Sequence, residues 1–282
     1  MGVVKEVIQD LIEKHNTKVQ CRSAYEQIID ELYTYSKELD EILKLKQETG
    51  HTHFRTKEVE DKVLRLIDED DRVLTIMGRT KDNIGMWACR LRLENIVLRA
   101  LDNHEASIQQ DFGGENIGMM AARYGLENAV IKALDNYEAS IQRSNLNCDN
   151  IGMLAAKAGM EMAVLKALDN PVASTQQNLN GDNIGILAAN KSLEVATIKA
   201  LDNEEACKQK NFFNYNIAMF AAINEMEDAT LKALDYDFLR TSRNSQNGRC
   251  LIDYVLKSNM DKAKEKLEKE NLGYEEVIEQ DF

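Results

Sequence analysis

The sequence predicts an all-α repeat solenoid, and three observations carry that prediction. The string Asn-Ile-Gly begins at Asn83, Asn116, Asn150 and Asn183, and Asn-Ile-Ala follows at Asn216, so one unit recurs every 33 or 34 residues. Pro171 is the single proline among 282 residues, which leaves most segments free to stay helical. Apolar residues then fall at spacings of three and four through each unit, the signature of helices with one buried stripe.

Each unit reads as two short helices and a loop. In the second copy the first helix runs from about Ile117 to Tyr124, where Ala121 and Ala122 are small enough for neighbouring helices to approach closely. Gly125 turns the chain. The second helix places Ala129, Val130, Ala133 and Leu134 on one face. Asn136, like Asn103, Asn170 and Asn203, stands where a left-handed residue would end that helix. The Glu138-Ala139-Ser140 stretch that follows lacks helical periodicity and predicts an extended, β-like finger leading to a turn.

These residues resemble the ankyrin family, whose unit has this period, an Asp-x-x-Gly turn, a Thr-Pro-Leu-His helix start and then Ala-Ala-x-x-Gly. Asp111 and Gly114 stand at the turn, Asn116-Ile117-Gly118-Met119 take the place of Thr-Pro-Leu-His, and Ala121, Ala122 and Gly125 match directly. Asn178, Gly181, Ala188 and Ala189 repeat the pattern. The resemblance implies an αα-repeat solenoid with finger loops that binds other proteins. The departure lies at the helix start, where the family's Thr and His network is missing; Asn is a good cap there, and another αα-repeat fold of similar period stays open.

The chain divides accordingly into residues 1–48 as an N-terminal helical cap or accessory helices, 49–77 as a degenerate first repeat, 78–243 as five repeats, 244–272 as a capping repeat and 273–282 as an acidic tail. Val4, Val7, Ile8, Leu11 and Ile12, then Tyr25, Ile28, Ile29, Leu32 and Tyr33, predict helices before the repeats; Val59, Val63, Leu66 and Ile67 predict the degenerate one. Leu251, Ile252, Val255 and Leu256 begin the closing helix pair, with Lys257, Lys262, Lys264 and Lys266 on its surface. The Glu-rich end, Tyr274 to Phe282, reads as a solvated tail and also looks like the export signals of effectors that intracellular bacteria deliver into host cells.

Net charge is −13 with a pI near 4.9, which repels a phosphate backbone or an anionic membrane over most of the surface. No run of about 18 apolar residues occurs, and Glu6 and Asp10 interrupt what would be a secretory apolar region. Glu6 also breaks the myristoylation pattern that Gly2 would open. Five scattered cysteines, Cys21, Cys89, Cys148, Cys207 and Cys250, predict free thiols in a reducing compartment. The expected location is cytoplasmic, either in the producing cell or after translocation into a host.

No catalytic constellation stands out. His51 and His53 are two apart with no cysteine nearby, and His15 and His104 stand alone. Cys89 replaces the second alanine of an Ala-Ala pair and Cys148 takes the turn position of Gly114 and Gly181, both structural places. Asp102, Asp135, Asp169, Asp202 and Asp235 recur once per unit and so form a row rather than a pair. Met86, Met119, Met153 and Met219 recur inside the framework as core. No cofactor or metal is expected. An enzyme or metal site at Cys21, His51 and His53 is the alternative, and a self-associating scaffold a third reading.

Residues that vary between units are free to meet a partner. At the expected finger tips stand Phe112, Leu146, Leu179 and Phe212, the last with Phe213 beside it; just before the motif stand Asp82, Glu115, Asp149, Asp182 and Tyr215. Tyr124 adds an aromatic. Apolar tips edged by acids predict a partner protein with a basic or mixed-charge face, or packing of finger on finger. The ankyrin resemblance implies a concave face formed by Arg90, Arg123, Lys157, Asn190, Lys191 and Asn224. A monomer that binds neither nucleic acid nor membrane is expected.

Overall fold

Asparagine opens the first helix of each unit that carries the motif because its side chain reaches an amide that the helix leaves unbonded. The Oδ1 atoms of Asn116, Asn150 and Asn216 accept from Met119, Met153 and Met219 N–H, each at 2.9 Å. The computed structural model describes residues 19–32, 34, 56–78 and 81–270. Residues 3–18, the histidines at 51 and 53, the acidic tail at 273–282 and its export-signal reading lie outside them, as does Tyr33. Among the described residues every regular element is helical, and no helix is long and apolar enough to cross a membrane.

The packing separates two compact units, Met1–Ala133 and Leu134–Phe282. In the first unit the helices Ile84–Leu91 and Ile117–Tyr124 pack side by side, as do Glu94–Leu101 and Glu127–Ala133. Residues 19–32 form a helix that buries Cys21, Tyr25, Ile28 and Leu32, and the Tyr25 hydroxyl lies 3.4 Å from the Asp82 carbonyl oxygen. Thr56–Glu69 buries Val59, Val63 and Ile67. In the second unit the first helices Ile151–Ala158, Ile184–Asn190, Ile217–Ile223 and Leu251–Lys257 follow one another in contact, and the second helices Glu161–Ala167, Glu194–Ala200, Glu227–Ala233 and Asp261–Lys269 do likewise. This is an ankyrin-like, all-α arrangement of helix pairs in a row.

The rest of the motif follows from how one repeat meets the next. A Cβ on Gly152 would lie 2.5 Å from Ile184 Cδ1 and 2.7 Å from Ala167 Cβ. The glycine of one motif therefore makes room for the isoleucine of the following one. Where Ala218 replaces glycine, Leu251 stands in place of isoleucine, and both are buried.

Asparagine also replaces the missing Thr and His network. Asn150 Nδ2 donates to the Ala173 carbonyl at 2.9 Å and to Gln176 Oε1 at 2.8 Å, and Gln176 Nε2 donates to the Ile141 carbonyl at 2.9 Å. Asn183 and Gln209 repeat the link. At the next position the glutamine is Ser242, and Asn216 Nδ2 is buried without a partner.

The expected β-like finger is corrected by the structure. Tyr137–Ile141 is a one-turn helix, as are Pro171–Thr175, Glu204–Lys208 and, in the first unit, His104–Ile108. Asn136 is its N-cap, extended at φ −88° and accepting from Ala139 N–H at 3.2 Å. The asparagines expected to end a helix in left-handed conformation start one instead.

The recurring charges join neighbouring repeats. Lys166, Lys199 and Lys232 pair with Asp135, Asp169 and Asp202 at 2.6 Å, and in the first unit Lys132 pairs with Asp102 at 2.7 Å. Glu161 Oε1 accepts from Val195 and Ala196 N–H at 3.0 and 3.3 Å. It caps the next repeat's second helix, whose own preceding residue, Leu193, has no capping side chain.

Candidate partner-binding surface

Each tip is closed by a polar side chain that bonds its own turn. Asn178 Oδ1 accepts from Asn180 and Asp182 N–H at 2.9 and 3.0 Å, and Asn211 Oδ1 accepts from Phe213 and Tyr215 N–H at 3.1 and 3.0 Å. The turn needs a left-handed residue, which Gly181 supplies at φ +78°, while Cys148 and Asn214 adopt +57° and +58°. Successive tips in the second unit are then tied backbone to backbone. Leu179 N–H donates to the Asn147 carbonyl at 3.0 Å, Phe212 N–H to Asn180 at 2.9 Å and Ser245 N–H to Phe213 at 2.9 Å.

The tip side chains are left outside. Leu146 is 71% exposed, Leu179 54%, Phe212 73% and Phe213 52%. In the first unit Phe112 is also exposed, and Lys81 Nζ sits 5.1 Å from its ring centre.

This geometry of capped helix pairs and stacked turns is matched by solved structures. A human ankyrin repeat domain, that of ASB11, superposes with a TM-score of 0.55 at 16% identity, covering 75% of this chain and 96% of that one. The chain has the ankyrin-repeat fold. A complex of the predatory endopeptidase Bd0816 of Bdellovibrio bacteriovorus with the immunity protein Bd3460 matches at a TM-score of 0.47 and 16% identity, covering 64% and 97%, which is too distant to add to that. No family model matches the sequence, and no curated protein does.

Within the ankyrin-repeat fold, the acids expected to edge the tips are drawn inward. Asp149 is buried, with Lys157 Nζ at 2.6 Å and Asn178 Nδ2 at 3.0 Å. It is therefore a strut between tips and does not face a partner. Asp182 is half-buried and accepts from Asn211 Nδ2 at 3.0 Å; burial raises its pKa, and the Asn211 bond offsets only part of that. In the first unit Glu115 pairs with Arg123 at 2.6 Å and Asp82 with Arg90 at 2.8 Å. Three of these four acids thus pair with a cation eight residues on, and Asp182 does not.

The same bonds involve the cations on the first helices. Arg90, Arg123 and Lys157 each lie eight residues after an acid and hold it. Asn224 is half-buried and donates to the Ala189 carbonyl at 2.8 Å. Asn190 and Lys191 are exposed, and Tyr124 is half-buried.

The acid–base pair then disappears in register. The position pairs read Asp149/Lys157, Asp182/Asn190, Tyr215/Ile223 and Arg249/Lys257 along the second unit. At the third, Tyr215 packs on Phe220 with ring centres 5.2 Å apart, its hydroxyl donates to Gln246 Oε1 at 3.1 Å, and Ile223 is 41% exposed. The Tyr254 hydroxyl, 3.4 Å away, helps to push the Tyr215 pKa up to about 12. Phe212, Phe213, Tyr215, Phe220 and Ile223 therefore lie within one repeat. Phe220 and Ile223 escaped the sequence reading, although comparing residues eight apart in each unit marks them.

Burial raises the thiol pKa of Cys21, Cys89, Cys207 and Cys250, holding them as poor nucleophiles and poor ligands. No group of three or more His, Cys, Asp or Glu side chains is arranged to hold a metal ion among those residues. An open hollow of about 560 Å³ is lined by Lys199, Asp202 and Glu204 among others. Three of its charges pair outside it or within its rim, Lys199 with Asp169, Asp202 with Lys232 and Glu204 with Lys208, and Glu205 also lines it.

Proposed function

We propose that this chain is a non-enzymatic, monomeric protein-binding module that holds its partner on the tips and first-helix face of residues 134–282. Leu179, Phe212 and Phe213 are the anchors, Leu146 and Tyr215 flank them, and Asp182, Asn190 and Lys191 supply polar contacts at the edge. In the first unit Phe112, Glu115 and Tyr124 offer a smaller surface of the same kind. One observation carries the reading: Phe212 and Phe213 are exposed although their amides are bonded within the stack of turns, so the fold leaves much of both rings in water. Grouped aromatics left in water mark interaction sites, and aromatic residues dominate binding energy where they are buried by a partner.

The reading is tested by affinity capture from cell lysate with the intact chain and with a Leu179→Ala/Phe212→Ala/Phe213→Ala variant, each first checked for an unchanged thermal melt. A defined set of captured proteins is expected to fall at least tenfold with the variant. Equal recovery by both proteins discards the site.

A further inference from the structure

The charge of the tips changes sign along the second unit, against a chain whose net charge is −13. From residue 206 to 224 the sequence carries Lys208 and Lys210 and no carboxylate, and from 238 to 252 it carries Arg240, Arg243 and Arg249 and again none. Three of these cations are used: Lys208 by Glu204, Arg240 by Asp237 at 2.9 Å and Arg243 by Asp253 at 3.6 Å. Asp253 in turn accepts from Cys250 N–H at 2.7 Å. Lys210, Arg249 and Lys257 make no ion pair among the described residues. Lys210 and Lys257 are exposed and Arg249 half-exposed.

Register makes the pattern informative. Residue 249 precedes the N-cap Cys250 as Asp149 precedes the N-cap Asn150, and residue 257 lies eight further on, as Lys157 does. Positions that hold a cation and a carboxylate 2.6 Å apart at Asp149 and Lys157 hold two cations here. These positions meet as ion pairs at Asp82 and Arg90, Glu115 and Arg123, and Asp149 and Lys157; Arg249 and Lys257 stand in the same register without a carboxylate between the two positions' side chains to pair. The adjacent repeat offers Phe212, Phe213 and Ile223.

We infer that the occupant of this surface is an acidic segment of another polypeptide carrying an aromatic or aliphatic anchor. The anchor seats on Phe212 and Phe213, and the carboxylates meet Arg249 and Lys257, with Lys210 beside them. The inference rests on the binding site proposed above and adds the chemistry of its partner. A short acidic segment meets only the local cations, whereas a nucleic acid would also meet the repulsion of the whole chain.

Selection of a displayed random 16-residue peptide library tests this on the full chain, on Phe212→Ala/Phe213→Ala, on Arg249→Glu/Lys257→Glu and on the milder Arg249→Gln/Lys257→Gln, with thermal melts confirming that each is folded. The intact chain is expected to enrich peptides that are net acidic with at least one aromatic or large aliphatic residue. The acidic bias should vanish with the glutamine variant and invert with the glutamate variant. Enrichment that survives loss of the two phenylalanines defeats the site itself. Enrichment that needs them but is neutral or basic, or that keeps its acidic bias in both charge variants, defeats the inference alone. Failure to enrich, or tighter binding of a labelled 12-nucleotide oligothymidylate than of the best selected peptide, also overturns it.

Discussion

Replacing Gly152 with alanine tests the packing of one repeat on the next with a single methyl group. That carbon would sit 2.5 Å from Ile184 Cδ1 and 2.7 Å from Ala167 Cβ, both well inside van der Waals contact. Overpacking of this kind costs about 1–3 kcal/mol. Alanine opposes it with at most ~1 kcal/mol of helix propensity, and less here because the residue lies in the first turn. A net loss of roughly 1–2 kcal/mol is expected in urea unfolding followed by far-ultraviolet circular dichroism. Gly185→Ala meets its neighbours at 2.9 Å and should lose less. Ile184→Val removes the offending methyl, so the double variant should be more stable than the sum of the single losses by about 1 kcal/mol. A Gly152→Ala protein as stable as the parent, or strict additivity with Ile184→Val, would refute the idea that isoleucine seats on the preceding glycine.

Two further outcomes follow from polar groups in the second unit. Ser242→Gln should supply the missing acceptor for Asn216 Nδ2, and calorimetry is expected to show a gain of roughly 1 kcal/mol; no gain would mean that Asn216 is satisfied in another way. Asp182 has a raised pKa when folded, so its ionised form opposes folding above that pKa and the opposition fades as pH falls through it. Asp182→Asn keeps an oxygen for Asn211 and should therefore raise the melting temperature at pH 7 but leave it unchanged near pH 3; equal melting temperatures at pH 7 would contradict the assignment.

The repeat itself was legible because packing demands small and apolar residues at fixed places: Ile117, Ala121, Ala122 and Met119 announce themselves by recurrence. The one-turn helix after the second helix was not. Five residues are too few for a 3.6-residue period to show, and Asn136 suits both a left-handed helix end and an N-cap. The acids were misplaced for a related reason. Whether Asp149 faces water depends on Lys157, eight residues on, and on Asn178, one repeat on, and neither distance belongs to a local motif. Glu161 and Glu194 recur in the sequence, but the bonds they accept from Val195 and Asp228 N–H, which cap the following helix, form only when the repeats are stacked. The tips were found because Phe112, Leu146, Leu179 and Phe212 violate the polar habit of turns. Ile223 was missed because its signal is the absence of a cation.

The central claim is that the tips of residues 134–282 face a bound protein. Site-specific photocrosslinking tests it most directly, with a benzophenone amino acid placed in turn at Leu179, Phe212 and Met162, the last an equally exposed apolar residue on a second helix. Irradiation in lysate is expected to yield the same discrete adduct from positions 179 and 212 and none from 162. An adduct from 162 with none from 179 and 212 would contradict the account.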